Sequence, residues 1–94
     1  MKVVWRPMAE ADREHIFDYI AKNNLGAALE LDEEFQAKAD NAALNPKLYK
    51  PGRVRGTREI VVRPNYVMIY RIDDDGGTLT VLRVLHAARR WPAP

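Results

Sequence analysis

Residues 57–86 read TREIVVRPNYVMIYRIDDDGGTLTVLRVLH, and this stretch decides the fold. It contains three runs rich in β-branched and aromatic residues, at 57–63, 66–73 and 78–86. Pro64-Asn65 separates the first two runs, and three aspartates followed by two glycines separate the last two. Short connections made of turn-forming residues are typical of β-hairpins. The stretch therefore predicts three consecutive antiparallel strands.

The chain before this stretch has a different periodicity. Residues 2–6 are a short strand candidate, halted by Pro7, which suits the first turn of a helix. Apolar residues spaced three and four apart predict helices over about 8–22 and 26–43. His15 lies in the apolar stripe of the first helix, so we expect it in or beside the core. The order β-α-α-β-β-β predicts an α+β fold, with a helical hairpin on one face of a mainly antiparallel four-stranded sheet.

Alternation along the middle strand assigns its two faces. Tyr66, Met68, Tyr70 and Ile72 share the face that we expect to contact the helices. No helix is left to cover the opposite face, and an uncovered apolar area with an arginine rim usually marks a binding site. The expected members of that area are Val67, Ile69, Arg71, Arg83 and Leu85.

The composition limits the possible classes of protein. The chain has 94 residues, 47% hydrophobic and 30% charged, which predicts one globular domain over 1–94. No apolar run approaches the roughly 18 residues of a membrane span, and the N-terminus lacks a signal-peptide pattern. We therefore expect a cytoplasmic protein. With no cysteine and two histidines, the sequence argues against a disulfide framework and a metal site, and it implies no cofactor.

Charge is distributed unevenly between the two halves. Residues 1–46 contain five Lys or Arg against nine Asp or Glu, a net charge of −4. Residues 47–94 contain ten against four, a net charge of +6, and eight of these ten cations are arginines. The guanidinium fork suits phosphates and carboxylates. The second half therefore predicts an anionic partner, either nucleic acid or an acidic protein segment.

Two arginine-containing segments are candidates for contacting such a partner. In GRVRGTR, Arg53, Arg55 and Arg58 alternate, so an extended backbone would project them to nearly one side; the alternative is a solvated loop. At 84–91 the last strand runs into VLHAARRW, which places His86, Arg89 and Arg90 near the chain end. We expect Trp91 to pack there and pin the end of the chain, and Trp5 to lie in the core.

Four segments in this order resemble one family: VVWRPMAEADREHIFDYIA at 3–21, PGRVRGTREIVV at 51–62, PNYVMIYRI at 64–72 and VLRVLHAARRW at 81–91. Together they make nearly the whole chain similar to toxins of the RelE/ParE superfamily, the toxin half of type II toxin-antitoxin modules. The resemblance implies a small cytoplasmic toxin that arrests bacterial growth. It also implies a hetero-oligomer with a cognate antitoxin that wraps around the toxin, and we expect the predicted apolar area to bind that antitoxin.

The superfamily has two activities. RelE-like toxins cleave mRNA on the ribosome, which needs a base, an acid and cations around one phosphate. ParE-like toxins inhibit DNA gyrase. Against the RelE pattern, Arg58 keeps the first basic position of its strand and Ile60 replaces the second. Val67 stands where an arginine is expected, and no tyrosine follows Arg89 or Arg90.

The resemblance therefore favours gyrase inhibition, and the LHAARRW ending is also closer to ParE-like toxins. The residues expected to bind the target are Arg53, Arg55, Arg58, Arg89 and Arg90. The alternative is a ribosome-dependent endoribonuclease in which Arg58 and Arg89 stabilise the phosphate while His86 transfers a proton. A third possibility is a non-toxic remnant that only binds its antitoxin.

Overall fold

A computed structural model describes residues 1–73, 76–89 and 91. Two helices pack on one four-stranded sheet, which confirms the predicted α+β class and element order. The elements are β1 (Lys2–Trp5), α1 (Pro7–Ala21), α2 (Leu25–Leu44), β2 (Arg58–Arg63), β3 (Tyr66–Ile72) and β4 (Thr78–His86).

The strand order in the sheet is β1-β4-β3-β2. β2 pairs with β3 and β3 with β4 in antiparallel fashion, so both predicted hairpins are present. β1 joins at the edge and runs parallel to β4, with Trp5 opposite Val81. The last strand, β4, therefore lies in the interior of the sheet, between β1 and β3.

Local signals start both helices where the sequence predicts. Pro7 occupies the first turn of α1, where its missing N–H leaves no hydrogen bond unmade. The Asn24 side chain accepts the Ala27 N–H at 2.9 Å and caps α2. Between the helices, Arg13 donates to both carboxylate oxygens of Asp32 while its guanidinium stacks on the Trp5 ring at 4.4 Å. These contacts fix the hairpin to the β1 edge of the sheet.

The main core lies between the helices and the sheet. Met68 and Tyr70 are fully buried in it, and Tyr66 and Ile72 pack against it, so the predicted inner face of β3 is confirmed. The Tyr70 hydroxyl donates to the Pro46 carbonyl, and burial raises the pKa of this phenol. The buried members are Ala9, Leu31, Phe35, Ala39, Ala42, Ile60, Val62, Met68, Tyr70, Leu79, Val81 and Val84.

The prediction that His15 belongs to the core side of α1 is wrong. His15 is exposed, as is Tyr19, and the buried residues of α1 are Ala9 and Asp12. The inward stripe is rotated because a carboxylate, that of Asp12, occupies a buried position. A periodicity argument that places only apolar residues inward cannot find this rotation.

The prediction of an uncovered apolar sheet face is also wrong. Val67, Ile69 and Leu85 are 7%, 0% and 1% exposed and form a second cluster, against which Leu82 and Trp91 pack. The chain returns after β4 and lays Trp91 on this face, as expected for a residue that pins the chain end. Covering this face stabilises the folded protein by about 25 cal/mol for each Å² of apolar surface that is removed from water.

The two arginines expected at the rim have different environments. Arg83 is buried and paired with Asp12, so it is not part of an exposed rim. The Arg71 side chain is 43% exposed and pairs with Asp73, whose carboxylate also accepts from the Thr80 hydroxyl. Arg71 donates a hydrogen bond that lowers the pKa of the Asp73 carboxyl. Of the predicted area, Arg71 alone keeps a substantially exposed side chain.

Candidate functional site

The strand register separates Arg58 from His86. Tyr70 of β3 pairs with Arg58, and Tyr66 of the same strand pairs with His86. The two residues are therefore four positions apart along the strands and two strands apart across the sheet, or roughly 16 Å between backbones. The two side chains could meet at one phosphate only if both were extended toward each other along this distance.

Arg58 is committed to a structural contact. Its Nη1 donates to the Tyr49 carbonyl at 2.7 Å and to the Lys47 carbonyl at 3.3 Å. A guanidinium that donates to partly buried carbonyls of a loop gives those carbonyls hydrogen bonds that they would otherwise lack. Arg58 therefore holds the connection from α2 to β2 against the sheet.

The two positions at which basic residues are missing lie inside the protein. Ile60 belongs to the main core at 1% exposure, and Val67 belongs to the second cluster. A cation at either position would have to be desolvated, which costs several kcal/mol when it has no partner. The packing therefore agrees with the absence of basic residues at positions 60 and 67, because both side chains make apolar contacts.

His86 lies at the exposed end of β4. Its ring meets that of Tyr66 edge to face, with centroids 5.6 Å apart and planes at 78°. Its Nδ1 accepts the Ala88 N–H at 3.3 Å. A neutral imidazole that accepts at Nδ1 must carry its proton on Nε2. In this state His86 offers a hydrogen-bond donor at Nε2, and to act as a base it would have to release the long 3.3 Å contact between Nδ1 and the Ala88 N–H.

An open groove of about 460 Å³ borders this imidazole. Its walls are aromatic and aliphatic side chains, and its polar groups are imidazoles, phenols and one amide, which can both donate and accept hydrogen bonds. Exposure places His15 here and not in the core, which the sequence analysis missed. The lining residues are His15, Ile16, Tyr19, Asn65, Tyr66 and His86.

The loop before β2 is tightly turned, which agrees with the loop alternative and not with an extended arginine row. Gly52 and Thr57 approach closely, with the Gly52 N–H donating to the Thr57 carbonyl at 2.7 Å. Gly56 has φ of +83°, a conformation that favours glycine. The turn directs Arg53 to Glu59 and leaves Arg55 exposed, whereas Arg58 binds the loop carbonyls on its own side.

Arg53 connects this loop to the end of the chain. Its Nε and Nη2 donate to the two carboxylate oxygens of Glu59 at 2.9 and 3.0 Å, and its backbone N–H donates to Oε2 at 2.7 Å. Its Nη1 donates to the Arg89 carbonyl at 3.3 Å. Arg53 thus joins the loop to Arg89, and we give the name basic surface to Arg53, its loop neighbour Arg55, and Arg89. Arg90, also predicted to bind the target, lies outside the described residues.

Charge pairing differs within the basic surface. The hydrogen bond from Arg53 lowers the pKa of Glu59 below its usual range, and the same contact raises the pKa of the Arg53 guanidinium. Arg55 and the Arg89 side chain have no ion-pair or hydrogen-bond partner in the part of the chain that the structure covers. These two cations are available to an anionic partner.

A metal site and a membrane-spanning helix are both absent from the described residues. No group of three or more histidine, aspartate or glutamate side chains is arranged to hold a metal ion. No helix in the same residues has both the length and the apolar character that crossing a membrane requires.

Residues 3–91 match the protein family described as the ParE toxin of type II toxin-antitoxin system, parDE. The chain belongs to the ParE toxin family. It is 32% identical over 92 residues to toxin Y4kP of Sinorhizobium fredii, covering 97% of this chain and 93% of that protein. It is 37% identical over 90 residues to toxin RelE2 of Caulobacter vibrioides, covering 94% and 97%.

A solved structure has the same fold. The chromosomal ParDE toxin-antitoxin system from P. aeruginosa superposes with a TM-score of 0.79 at 20% identity, covering 92% of this ParE-family chain and 95% of the other. The chain is thus a type II toxin of the RelE/ParE superfamily, and the predicted fold and family are confirmed. Its relatives bear both ParE and RelE names, so similarity alone assigns no target to this toxin.

Glu59 is the residue of this ParE-family toxin that sequence reasoning missed. The sequence shows it between Arg58 and Ile60 in a strand, where a carboxylate is most simply read as solvent-exposed. In the structure its side chain is 7% exposed. The available signal was that Arg53 and Glu59 flank a short loop containing Gly56, which brings the two side chains together.

Proposed function

We propose that the toxin arrests bacterial growth by inhibiting DNA gyrase, with the basic surface as its contact to the gyrase–DNA complex. The observation that carries this proposal is the separation of Arg58 from His86, with apolar residues buried at positions 60 and 67. A phosphate-cleaving centre needs its cations and its proton donor around one phosphorus atom. The basic surface needs only exposed charge, which Arg55 and Arg89 provide.

The toxin is proposed to act in the cytoplasm, where its targets are, and to be neutralised there by a cognate antitoxin in a hetero-oligomer. The family is defined by such modules, which supports the partner. The covered second cluster gives an antitoxin no open apolar face to bind. An acidic antitoxin segment is instead expected to contact Arg71, so the roles proposed for Val67, Ile69, Arg83 and Leu85 become indirect, through packing.

One observation favours ribosome-dependent mRNA cleavage as a second candidate. His86 and Arg89 lie in one turn, in which the Arg89 N–H donates to the His86 carbonyl at 2.9 Å, and both residues are exposed. An imidazole and a guanidinium so placed can reach one phosphodiester. This candidate requires His86 to release Nδ1 from Ala88 or to act only as an acid.

Purified toxin distinguishes these functions. Gyrase, supercoiled plasmid and ATP are incubated with the toxin, and linear DNA is quantified after detergent and protease treatment. In parallel, a translation extract is probed for cleaved messages. The proposal expects linear DNA and intact messages. Cleaved messages without linear DNA would contradict it and support the nuclease, and neither product would indicate a remnant that only binds antitoxin.

A charge-reversal pair locates the contact. Arg89→Glu is expected to reduce gyrase-dependent linear DNA by at least about tenfold, because the exposed cation faces the anionic complex. Lys22→Glu is the matched control, since it makes the same charge change at an exposed residue at the end of α1. Equal losses in both variants would indicate nonspecific electrostatics instead of a contact at the basic surface.

A further inference from the structure

A buried carboxylate and the end of the chain are joined through one arginine. Glu59 accepts three hydrogen bonds from Arg53, one from its backbone N–H and two from its guanidinium. The remaining arm of the guanidinium, Nη1, reaches the Arg89 carbonyl. The Arg53 guanidinium thus binds both Glu59, in strand β2, and the backbone of Arg89, which follows β4.

Those residues have few other attachments. We call residues 86–89 together with Trp91 the C-terminal segment. At its start the Ala87 N–H donates to the Asn65 carbonyl at 2.8 Å, and at its end Trp91 packs on the second cluster. Between these two points, the only hydrogen bond that joins the described residues of the segment to the rest of the described chain is the one from Arg53 to the Arg89 carbonyl.

The orientation of Arg53 depends on the charge of Glu59. A charge-assisted fork is roughly twice as strong as neutral hydrogen bonds and orients the plane of the guanidinium, so a neutral partner would hold Arg53 less firmly. Glu59 is itself immobile, because its strand is paired with β3 and its N–H donates to the Lys50 carbonyl at 3.1 Å. Without the carboxylate, Arg53 is free to rotate into solvent, and the Arg89 carbonyl loses its partner.

We propose that Glu59 is a positioning residue that, through Arg53, fixes the C-terminal segment on the sheet and sets where Arg89 is presented. The inference rests on the proposed function in taking Arg89 to contact the target. The placement of the segment is a separate claim and has its own measurement. Glu59 does not contact the target in this account, because its side chain is covered by Arg53.

Trp91 reports on the placement of the segment. The chain has two tryptophans, so a Trp5→Phe background leaves Trp91 as the single indole. In that background, Glu59→Gln and Arg53→Gln are each expected to raise the acrylamide quenching constant of Trp91 by about twofold or more, because a local tie is lost. The double variant is expected to match either single variant, since both changes break the same link.

Arg55→Gln is the control for the quenching experiment. Arg55→Gln removes the same charge from the same loop, but no described bond ties Arg55 to the segment, so its quenching constant should stay that of the background. An unchanged constant in folded Glu59→Gln and Arg53→Gln, as judged by circular dichroism, overturns the inference. If Glu59→Gln does not fold, the more exposed Arg53→Gln decides alone.

The functional half is tested with the gyrase assay. Glu59→Gln is expected to lower gyrase-dependent linear DNA by at least about tenfold, as Arg89→Glu does, although it leaves Arg89 in place. A looser Trp91 with undiminished linear DNA would overturn the claim that the target uses this placement. If the unmodified toxin produces no linear DNA, the proposed function fails, and the quenching result still decides the positioning claim.

Discussion

Asp12 of α1 and Arg83 of β4 form a buried ion pair between residues 71 positions apart. Nε and Nη2 of Arg83 donate to the two carboxylate oxygens at 2.7 and 2.9 Å, and the Val84 N–H donates to one of them at 2.9 Å. β1 ends at Trp5, opposite Val81, so beyond that point a helix side chain takes the place of a neighbouring strand. The pair also raises the pKa of the Arg83 guanidinium through its hydrogen bond to Asp12.

This pair should be costly to break from one side. Asp12→Ala leaves a buried guanidinium and a buried N–H without partners, and it is expected to lower the free energy of unfolding by about 3–5 kcal/mol. Asp12→Ala combined with Arg83→Met should cost less than the two single changes added, because neither charge is then left alone. Urea denaturation followed by circular dichroism measures all three variants.

Asp18→Ala is the control, because it removes a carboxylate from an exposed position of the same helix. It is expected to change stability by less than about 0.5 kcal/mol. A similar loss in Asp12→Ala and Asp18→Ala would mean that the charge of α1, and not the pairing with Arg83, is what matters.

The sequence was sufficient for features set by local pattern. The bounds of β4, the two hairpins and the inner face of β3 follow from alternation and turn residues, and all three agree with the structure. The rotation of α1 could not be predicted. It depends on Asp12 meeting Arg83, and no periodicity within a helix contains information about a partner in another element.

The candidate site was predicted less well for the same reason. Trp91 was expected to pack, but the surface it covers was expected to be bare, since the path of the chain after β4 is not encoded by any repeat. A bulge between Ile69 and Tyr70 also shifts the register, so β4 does not alternate regularly along its length. The sequence leaves an extended row and a solvated loop open for Arg53 and Arg58, because the pattern does not specify the positive φ that Gly56 adopts in the turn.

The glycines of the loop before β2 should differ from a helical glycine in their response to alanine. A Cβ at Gly52 would collide with the side chain and backbone of Thr57, so Gly52→Ala is expected to cost about 1–3 kcal/mol. Gly56→Ala meets no neighbour but is strained by its positive φ, with an expected cost of about 1 kcal/mol. Thermal unfolding measures both costs.

Gly26→Ala provides the opposite control. This glycine lies in the first turn of α2, where an added Cβ makes an ordinary contact of 3.5 Å with the Asn24 side chain. Removing glycine flexibility from a helix is expected to stabilise the protein by about 0.5–1 kcal/mol. A gain of stability in Gly52→Ala would show that the loop does not approach Thr57 as described.

The Arg53–Glu59 contact predicts a pH dependence of stability. The hydrogen bond from Arg53 lowers the pKa of Glu59 in the folded protein, so its stabilising contribution is complete above the unfolded value of about 4.3. The contribution is lost as the pH falls through the lowered folded value. The difference in unfolding free energy between the unmodified protein and Glu59→Gln should be about 2 kcal/mol at pH 7 and shrink steadily below about pH 4.

Comparison with Glu59→Gln at each pH isolates this group, because other carboxylates, including Asp73, titrate equally in both proteins. Chemical denaturation at a series of pH values between about 2.5 and 7 gives the two curves. A difference that stays constant across this range would show that Glu59 is not held as a carboxylate by Arg53.

His86 separates the two candidate activities at the level of a single side chain. Because Nδ1 accepts from Ala88, the neutral ring presents only an Nε2–H donor to the groove. A glutamine amide supplies a similar donor without proton transfer near neutral pH, since its side chain does not titrate. His86→Gln is therefore expected to retain gyrase-dependent linear DNA within about twofold.

His86→Phe is the companion variant, because it keeps a ring beside Tyr66 but removes the hydrogen-bond donor. It should weaken any contact that the target makes with this donor by about 1 kcal/mol. Growth arrest abolished by His86→Gln, in a variant that remains folded and still binds its antitoxin, would contradict the gyrase proposal and assign the imidazole a proton-transfer role.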